Sequence, residues 1–420
     1  MTTKLENTVD ALASQCVKCA LCLEHCPTYK LTEDENESPR GRIALMQALS
    51  HHELPLTQKV KNHLDRCLAC RACEPVCPAH VQYGELIVKG RELIEELPAV
   101  EPLKSPPLEV SFLKWMVKHP NIQRVVQSLV WAMDVTGIRY AARFLQIPRI
   151  LGLHKLDSLL PFSPKPIALK PSYKAMGEVR GHVTLFKGCL SAWADQEALL
   201  ATIFVLRKFG FDISIPSSQT CCGAMALHAG EKEDALKLAD QNQNAFSKEG
   251  EENNFILSFA TGCTAVLREY DVHFSSFSDS FSKRNKDIID FINECEWPPH
   301  LEFKNNSAKV IIHTPCTRRN VLKTPQSPGK ILSRIPGMEL RYFKSPHCCG
   351  AAGTYMLEHE AFAKPLADNL ISELDDIHVD FIASSNIGCT LHLQQHLRNL
   401  NPNLKVVHPI VLFAKALGFE

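Results

Sequence analysis

The spacing of 17 cysteines limits what this chain can fold into more than any other feature. Eight lie in the first 77 residues, as Cys16-x2-Cys19-x2-Cys22-x3-Cys26-Pro27 and Cys67-x2-Cys70-x2-Cys73-x3-Cys77-Pro78. None occurs from 78 to 188, and nine follow: Cys189, Cys221, Cys222, Cys263, Cys295, Cys316, Cys348, Cys349 and Cys389. The opening segment carries Lys4, Glu6 and Asp10 where a secretory leader needs an apolar run, and no stretch is long and apolar enough for a membrane span. The expected location is therefore cytoplasmic, with a peripheral seat on the cytoplasmic face of the inner membrane as the alternative. Thiols stay reduced in such a compartment, so the cysteines point to metal or redox chemistry rather than disulfides.

The later cysteines repeat. Cys189, Cys221 and Cys222 recur 127 residues on as Cys316, Cys348 and Cys349, and Cys263 recurs 126 residues on as Cys389. The surrounding text repeats too: CCGA at 221 and at 348, and FILSFATGC at 255 against FIASSNIGC at 381. Cys295 has no counterpart and reads as a buried free thiol rather than a ligand. In each copy short β-prone runs precede the cysteine loops (Val183 to Lys187, Phe211 to Ile215 and Phe255 to Phe259; Val310 to His313, Glu339 to Phe343 and Phe381 to Ala383), with helical segments between them. Alternation of this kind predicts an α/β unit with a largely parallel sheet, whose strand-to-helix loops open on one edge and bring distant cysteines together.

The expected fold class is α+β multidomain. A helical head spans 1–97, with apolar stripes at Ile43, Met46, Leu49, at Leu56, Val60, Leu64 and at Leu86, Gly90, Leu93, Leu97. A proline-flanked helical linker spans 98–180. Two copies of the cysteine-rich unit follow at 181–300 and 301–420. The amphipathic stretch Val110 to Arg149 is expected to pack on its neighbours, the alternative being a face for a partner or a membrane. Lys plus Arg and Asp plus Glu number 46 each, so no net charge draws the chain to nucleic acid.

The head resembles two-cluster bacterial ferredoxins, in which three cysteines of a run hold one [4Fe-4S] cubane and the fourth reaches to the other. The resemblance implies Cys16, Cys19, Cys22 and Cys77 for cluster 1, and Cys67, Cys70, Cys73 and Cys26 for cluster 2. The long helical insertion between the runs is similar to the ferredoxin module of fumarate and succinate dehydrogenases. Structural zinc accounts for neither the third cysteine of each run nor the Cys-Pro endings. Arg40, Arg42, Arg66 and Arg71 stand near enough in sequence to offset cluster charge, against an ordinary surface role.

The tail resembles the duplicated cysteine-rich "CCG" domain of the heterodisulfide reductase family. In that family a further cysteine, in C-x-x-C, completes a five-thiol set for a non-cubane cluster; here the positions hold Val266 and His392. Four cysteines per copy (Cys189, Cys221, Cys222, Cys263; Cys316, Cys348, Cys349, Cys389) leave a further iron–sulfur cluster or zinc open. His313, His347, Lys187, Arg318 and Arg319 flank these sites, with packing or solvation as the plainer reading.

Taken whole, the chain resembles the iron–sulfur subunits of membrane-linked flavin dehydrogenases. Through CPTY at 26, PRGRI at 39, HLDRCLACRACEPVCP at 63 and the KGC and CCGA motifs, it is similar to the glycolate oxidase iron–sulfur subunit family. Neither a G-x-G fingerprint nor a P-loop is present, so FAD is expected in a partner dehydrogenase subunit only. The resemblance implies an electron-transfer subunit of a 2-hydroxy acid dehydrogenase, glycolate to glyoxylate, with a quinone or other membrane acceptor and no catalytic residue of its own. Subunits of anaerobic glycerol-3-phosphate dehydrogenase and of lactate utilisation are the near alternatives. A thiol-disulfide reductase and a zinc-held assembly platform are the alternatives of other classes.

Overall fold

The computed structural model describes residues 3–247, 254–299, 301–344, 348–374 and 377–420. His347 lies outside them. The head is helical, its main helices being Lys4–Ala13, Pro39–Ser50, Gln58–Asp65 and Tyr83–Glu96. Ser38 caps the second of these, its hydroxyl accepting from the Gly41 N–H, and Pro39 at the first turn supplies the fixed φ that starts it. The three apolar stripes meet in one core with Val9 and Leu12 of the first helix. Gly90 belongs to that seam because Met46 fills the space beside it: a Cβ there would stand 2.1 Å from the Met46 sulfur.

The segment after the head runs through helices Leu108–Lys118, Pro120–Val135, Ile138–Phe144, Ile147–Ile150 and His154–Leu159. The first packs as expected, burying Val110, Leu113, Met116 and Val117 against the first repeat. Val126 and Val130 of the second and Leu159 of the last reach the same core, whereas Ile138–Phe144 and Ile147–Ile150 stand largely clear of it. Phe144 is 81% exposed and Ile150 79% exposed, so the expectation that the whole amphipathic stretch packs on its neighbours fails beyond about residue 135.

Two sheets follow. The first holds β1 (Ser172–Tyr173), β2 (Gly181–Phe186), β3 (Phe211–Ser214), β4 (Ile256–Ser258) and β5 (Asn285–Asp287) in the order β1-β3-β2-β4-β5. The second holds β6 (Lys309–His313), β7 (Glu339–Tyr342), β8 (Phe381–Ser384) and β9 (Lys405–Val407) in the order β7-β6-β8-β9. Every pairing is parallel except that of β1 with β3. β1 falls in the segment read as linker, so the first sheet begins before residue 181. Helices Gln196–Lys208, Ile288–Glu294, Ser327–Leu332 and Pro409–Ala416 lie in a single core with the inner faces of both sheets. The repeats are therefore fused through one apolar interior.

A buried ion cluster seals the fusion. Arg318, fully buried, pairs with Asp287 at 2.5 Å and Asp290 at 2.9 Å, and its Nε donates to Ser385 Oγ at 3.1 Å. Its sequence position beside Cys316 suggested charge balance or a solvated surface role. Arg318 does neither, because its charge is spent on two carboxylates of the first repeat. Removing it strands those carboxylates out of water, so Arg318→Met is expected to cost about 3–5 kcal/mol. The urea midpoint of anaerobic holoprotein measures this, and an unchanged midpoint means the carboxylates reach solvent on their own.

Candidate metal centres

The two cysteine runs of the head fold alike. Lys18 (φ 56°) and Ala20 (φ 72°) flank Cys19 in the left-handed region, and Ala69 (φ 47°) and Arg71 (φ 57°) flank Cys70 in the same way. None of these is glycine, so each carries a cost of about 1–2 kcal/mol. Alternating hand turns successive N–H groups inward, as in backbone nests that hold anionic groups. Strain placed identically in both loops fits a bound anionic cluster that offsets it.

The loops enclose two adjoining hollows. Cys16, Cys19, Cys22 and Cys77 line the first, and Cys26, Cys67, Cys70 and Cys73 line the second; Cys73 and Tyr83 border both. Each hollow thus gathers three cysteines of one run and the last of the other. Cys19 is exposed at the rim of the first, whereas Cys26, Cys67 and Cys73 are buried around the second. Burial pushes the Cys70 and Cys73 thiols up, which makes metal loading a proton-releasing step.

Of the four arginines, only Arg42 is buried, and it lies against a cysteine of the runs. Its Nη1 lies 4.0 Å from Cys26 Sγ and donates to Thr28 Oγ1 and the Glu37 carbonyl, while Nη2 donates to Glu37 Oε2 at 2.6 Å. Arg40 pairs with Glu35, Arg66 with Glu37, and Arg71 with Glu74 and Glu269. The Tyr83 hydroxyl stands 3.5 Å from Cys67 Sγ.

In each repeat the four cysteines lie on loops at one edge of the sheet. Cys189 follows β2, Cys221 and Cys222 follow β3, and Cys263 sits in the first turn of helix Thr261–Leu267 after β4. Cys316, Cys348, Cys349 and Cys389 take the matching places after β6, β7 and β8. Gly350 has φ +81°, and a Cβ there would meet the Ala363 carbonyl oxygen at 2.5 Å, so the paired cysteines need glycine after them. The sulfurs form chains of contacts, Cys189–Cys221–Cys222–Cys263 and Cys316–Cys348–Cys349–Cys389. Cys189 Sγ and Cys221 Sγ are 3.3 Å apart, and Cys349 Sγ and Cys389 Sγ 2.7 Å. Thiol contacts and then burial push Cys189, Cys222 and Cys316 up. Thiols packed this closely fit a shared metal centre, since two ligands of one tetrahedral metal lie about 3.8 Å apart. Cys295 stands away from both sets, and burial pushes its thiol up to about 11.

The head touches both repeats. Arg91 Nη1 donates to the His228 carbonyl at 2.7 Å, and Asn320 Nδ2 to the Cys70 carbonyl at 2.6 Å. Cys70, Cys316 and Cys348 belong to one small apolar cluster. The linker reaches the first repeat, where Gln123 Nε2 donates to the Cys189 carbonyl at 2.7 Å. Lys187, beside that loop, is half-buried, and burial lowers its pKa.

Comparison with known proteins accords with this arrangement. Residues 12–81 match the family model of a 4Fe-4S dicluster domain, and residues 183–268 and 310–394 each match that of a cysteine-rich domain. A probable glycolate oxidase iron–sulfur subunit of Bacillus subtilis (strain 168) is 31% identical, with 96% of this chain and 94% of that protein aligned. The glycolate oxidase iron–sulfur subunit of Escherichia coli (strain K12) is 30% identical, over 91% of this chain and 90% of that protein. This chain belongs to the glycolate oxidase iron–sulfur subunit family. It is an iron–sulfur protein and a subunit of an oxidoreductase. Lactate utilization protein A 2 of Bacillus cereus (strain Q1) is 25% identical over 56% of this chain and 99% of its own length. A hypothetical protein from Helicobacter pylori shares the fold, with a TM-score of 0.52 at 11% identity over 99% of this chain and 76% of its own.

At the two positions where a fifth thiol was looked for, Val266 is buried in the apolar core and His392 Nδ1 donates to the Cys349 carbonyl at 2.8 Å. His313, the last residue of β6, is buried, and burial lowers its pKa to about 3, leaving a neutral ring. Sequence reasoning missed Tyr83; a hydroxyl aromatic five residues after the second Cys-Pro was its only signal. A donor to a thiolate favours the more negative, reduced state of a cluster. Tyr83→Phe is therefore expected to lower one head potential by roughly 40 mV, about 1 kcal/mol for one electron, in an anaerobic dye titration followed by paramagnetic resonance. Two unmoved potentials would show that Tyr83 serves packing alone.

Proposed function

We propose that this chain is the iron–sulfur electron-transfer subunit of a glycolate oxidase, relaying electrons from an FAD-binding dehydrogenase partner to a quinone or other membrane carrier. The observation that carries the proposal is the pair of adjoining four-cysteine hollows in a chain with no dinucleotide fingerprint. Cys16, Cys19, Cys22 and Cys77 would hold one [4Fe-4S] cluster, and Cys67, Cys70, Cys73 and Cys26 the other. When bound, such clusters supply one-electron transfer. Conversion of glycolate to glyoxylate releases two electrons and two protons, and that chemistry belongs to the partner. The residues of this chain hold, orient and shield the relay: Arg42 and Tyr83 set charge and hydrogen bonding at the sulfurs, and the buried head keeps water from Cys26, Cys67 and Cys73.

Entry is assigned to the exposed rim. Val17 and Leu21, on either side of Cys19, are 67% and 57% exposed and give a partner an apolar seat. Val17→Asp with Leu21→Asp is expected to leave iron content intact while cutting dye-coupled glycolate oxidation by the reconstituted complex about tenfold or more; full activity would place entry elsewhere. Lactate is the nearest alternative substrate, being a 2-hydroxy acid like glycolate.

The eight repeat cysteines are proposed to hold metal as well. Iron, zinc and acid-labile sulfide counts on anaerobically purified holoprotein separate the cases. Two cubanes give about eight irons and eight sulfides. Surplus iron with sulfide assigns iron–sulfur to the repeats and surplus zinc assigns zinc, whereas no surplus removes metal from them. A count near zero ends the electron-transfer proposal itself.

Membrane association is assigned to the face that the linker leaves bare. No described helix is long and apolar enough to cross a membrane. Tyr140, Phe144, Leu145, Ile150 and Leu151 are all exposed, with Arg124 and Arg149 exposed nearby. An apolar strip with basic residues beside it suits an in-plane seat on an anionic bilayer. Flotation with anionic vesicles is expected for the wild-type chain and not for Phe144→Glu with Ile150→Glu; equal flotation of both would move the contact to another surface.

A further inference from the structure

The two repeats are not equivalent at their ligand edges, and the difference is a histidine. β2 ends at Phe186 and β6 at His313, and these residues match at the 127-residue offset that relates the cysteines. Phe186 is wholly buried in the apolar core of the first repeat, 6.0 Å from the Phe246 ring. His313 is 3% exposed, its ring edge-on to that of Phe343 at 6.2 Å. Its Nδ1 lies 3.0 Å from Ser384 Oγ on the neighbouring strand, and its Nε2 has no hydrogen-bond partner among the described residues. A nitrogen of His313 and the sulfurs of Cys349 and Cys389 all lie within 4.8 Å of one another.

An unpaired imidazole nitrogen wholly out of water is costly, about 1–3 kcal/mol, unless something unseen by the polypeptide engages it. A metal-ligating histidine has this arrangement: one ring nitrogen on a hydroxyl or carbonyl that fixes the tautomer, and the other carrying a lone pair toward the metal. His392 stands where the sequence pattern would place a substitute ligand. Its ring is already committed, Nδ1 to the Cys349 carbonyl and Nε2 to His396 Nε2 at 3.2 Å.

We propose that His313 Nε2 is a metal ligand, completing with Cys349 and Cys389 a mixed nitrogen–sulfur site in the second repeat, while the first repeat is held by sulfur alone. The inference rests on the reading that the repeats bind metal. Its ligand chemistry suits zinc and the iron of an iron–sulfur centre alike. Imidazole in place of thiolate removes negative charge from the ligand set, so an iron–sulfur centre here would sit at a higher potential than its all-thiolate counterpart.

The test uses anaerobic holoprotein and three variants: His313→Phe, which installs the residue of the first repeat, His313→Cys, and His392→Ala. Zinc is read at its absorption edge for imidazole scattering, and iron–sulfur centres by nitrogen hyperfine coupling in pulsed paramagnetic resonance after dithionite reduction. A nitrogen signature present in the wild type and in His392→Ala, lost in His313→Phe and His313→Cys, is the expected result. The edge and the resonance tell zinc from iron. Metal in the second repeat with a nitrogen signature that is absent, or that survives both His313 variants, overturns the assignment of His313 and leaves the metal reading of the repeats standing. No metal beyond the eight irons of the head overturns both. Retention of those eight irons in His313→Phe shows that the variant has folded.

Discussion

The structure depends on one constraint: in a parallel sheet every strand-to-helix loop opens on the same edge. Cysteines separated by tens of residues in each repeat can meet only there, and they do, on the loops after β2, β3 and β4 and again after β6, β7 and β8. Buried thiols pushed upward by burial and by one another are a poor resting state for a bare protein. A cation resolves that conflict, and the head docks on both repeats. The docking is built from backbone carbonyls beside ligands, as when Asn320 holds the Cys70 carbonyl and Gln123 the Cys189 carbonyl. Ligand loops are thus positioned by neighbouring units as well as by their own sheet.

Duplication explains the second half, and departures from it fall beside the cysteines. Both repeats keep the cysteine positions, the CCG turn and the parallel order of strands. They diverge at Phe186 and His313, and at Val266 and His392. The first repeat has apolar residues at both places and the second has histidines. The repeats also cross-brace each other, with Thr261 Oγ1 donating to the Ser385 carbonyl at 2.9 Å and Arg318 paired with two aspartates of the first repeat.

Much of this was legible in the sequence because cysteine spacing and hydrophobic period are local signals. The stripes of Ile43, Val60 and Leu86 gave the head helices, and the runs before each cysteine gave six strands. β5 and β9 escaped notice: Asn285–Asp287 is polar, and Lys405–Val407 is too short to show a period. β1 escaped for the same reason, which is why the first sheet starts inside the segment read as linker. Arg42, Arg318 and Tyr83 could not be told from surface residues, because their partners Glu37, Asp287 and Cys67 are set by tertiary contact alone. His313 was visible only as a neighbour of Cys316. That a nitrogen of its ring lies within 4.8 Å of the Cys349 and Cys389 sulfurs is set by tertiary contact, with β6 paired to β8.

Burial gives the molecule a direction. The first hollow of the head opens to solvent at Cys19, between exposed Val17 and Leu21. Cys70, which lines the second, shares an apolar cluster with Cys316 and Cys348. Cys73 and Tyr83 border both hollows, so the protein between them is no thicker than one side chain. Cysteines thus follow one another from exposed Cys19 through buried Cys26, Cys67 and Cys73 to Cys70 beside Cys316 and Cys348 of the second repeat. The first repeat stands beside this series, with Cys189 and Cys221 covered instead by the linker. Two halves built from one motif have come to meet the head differently, the first through Arg71 with Glu269 and Arg91 with the His228 carbonyl, the second through Asn320 and the cluster of Cys70 with Cys316 and Cys348.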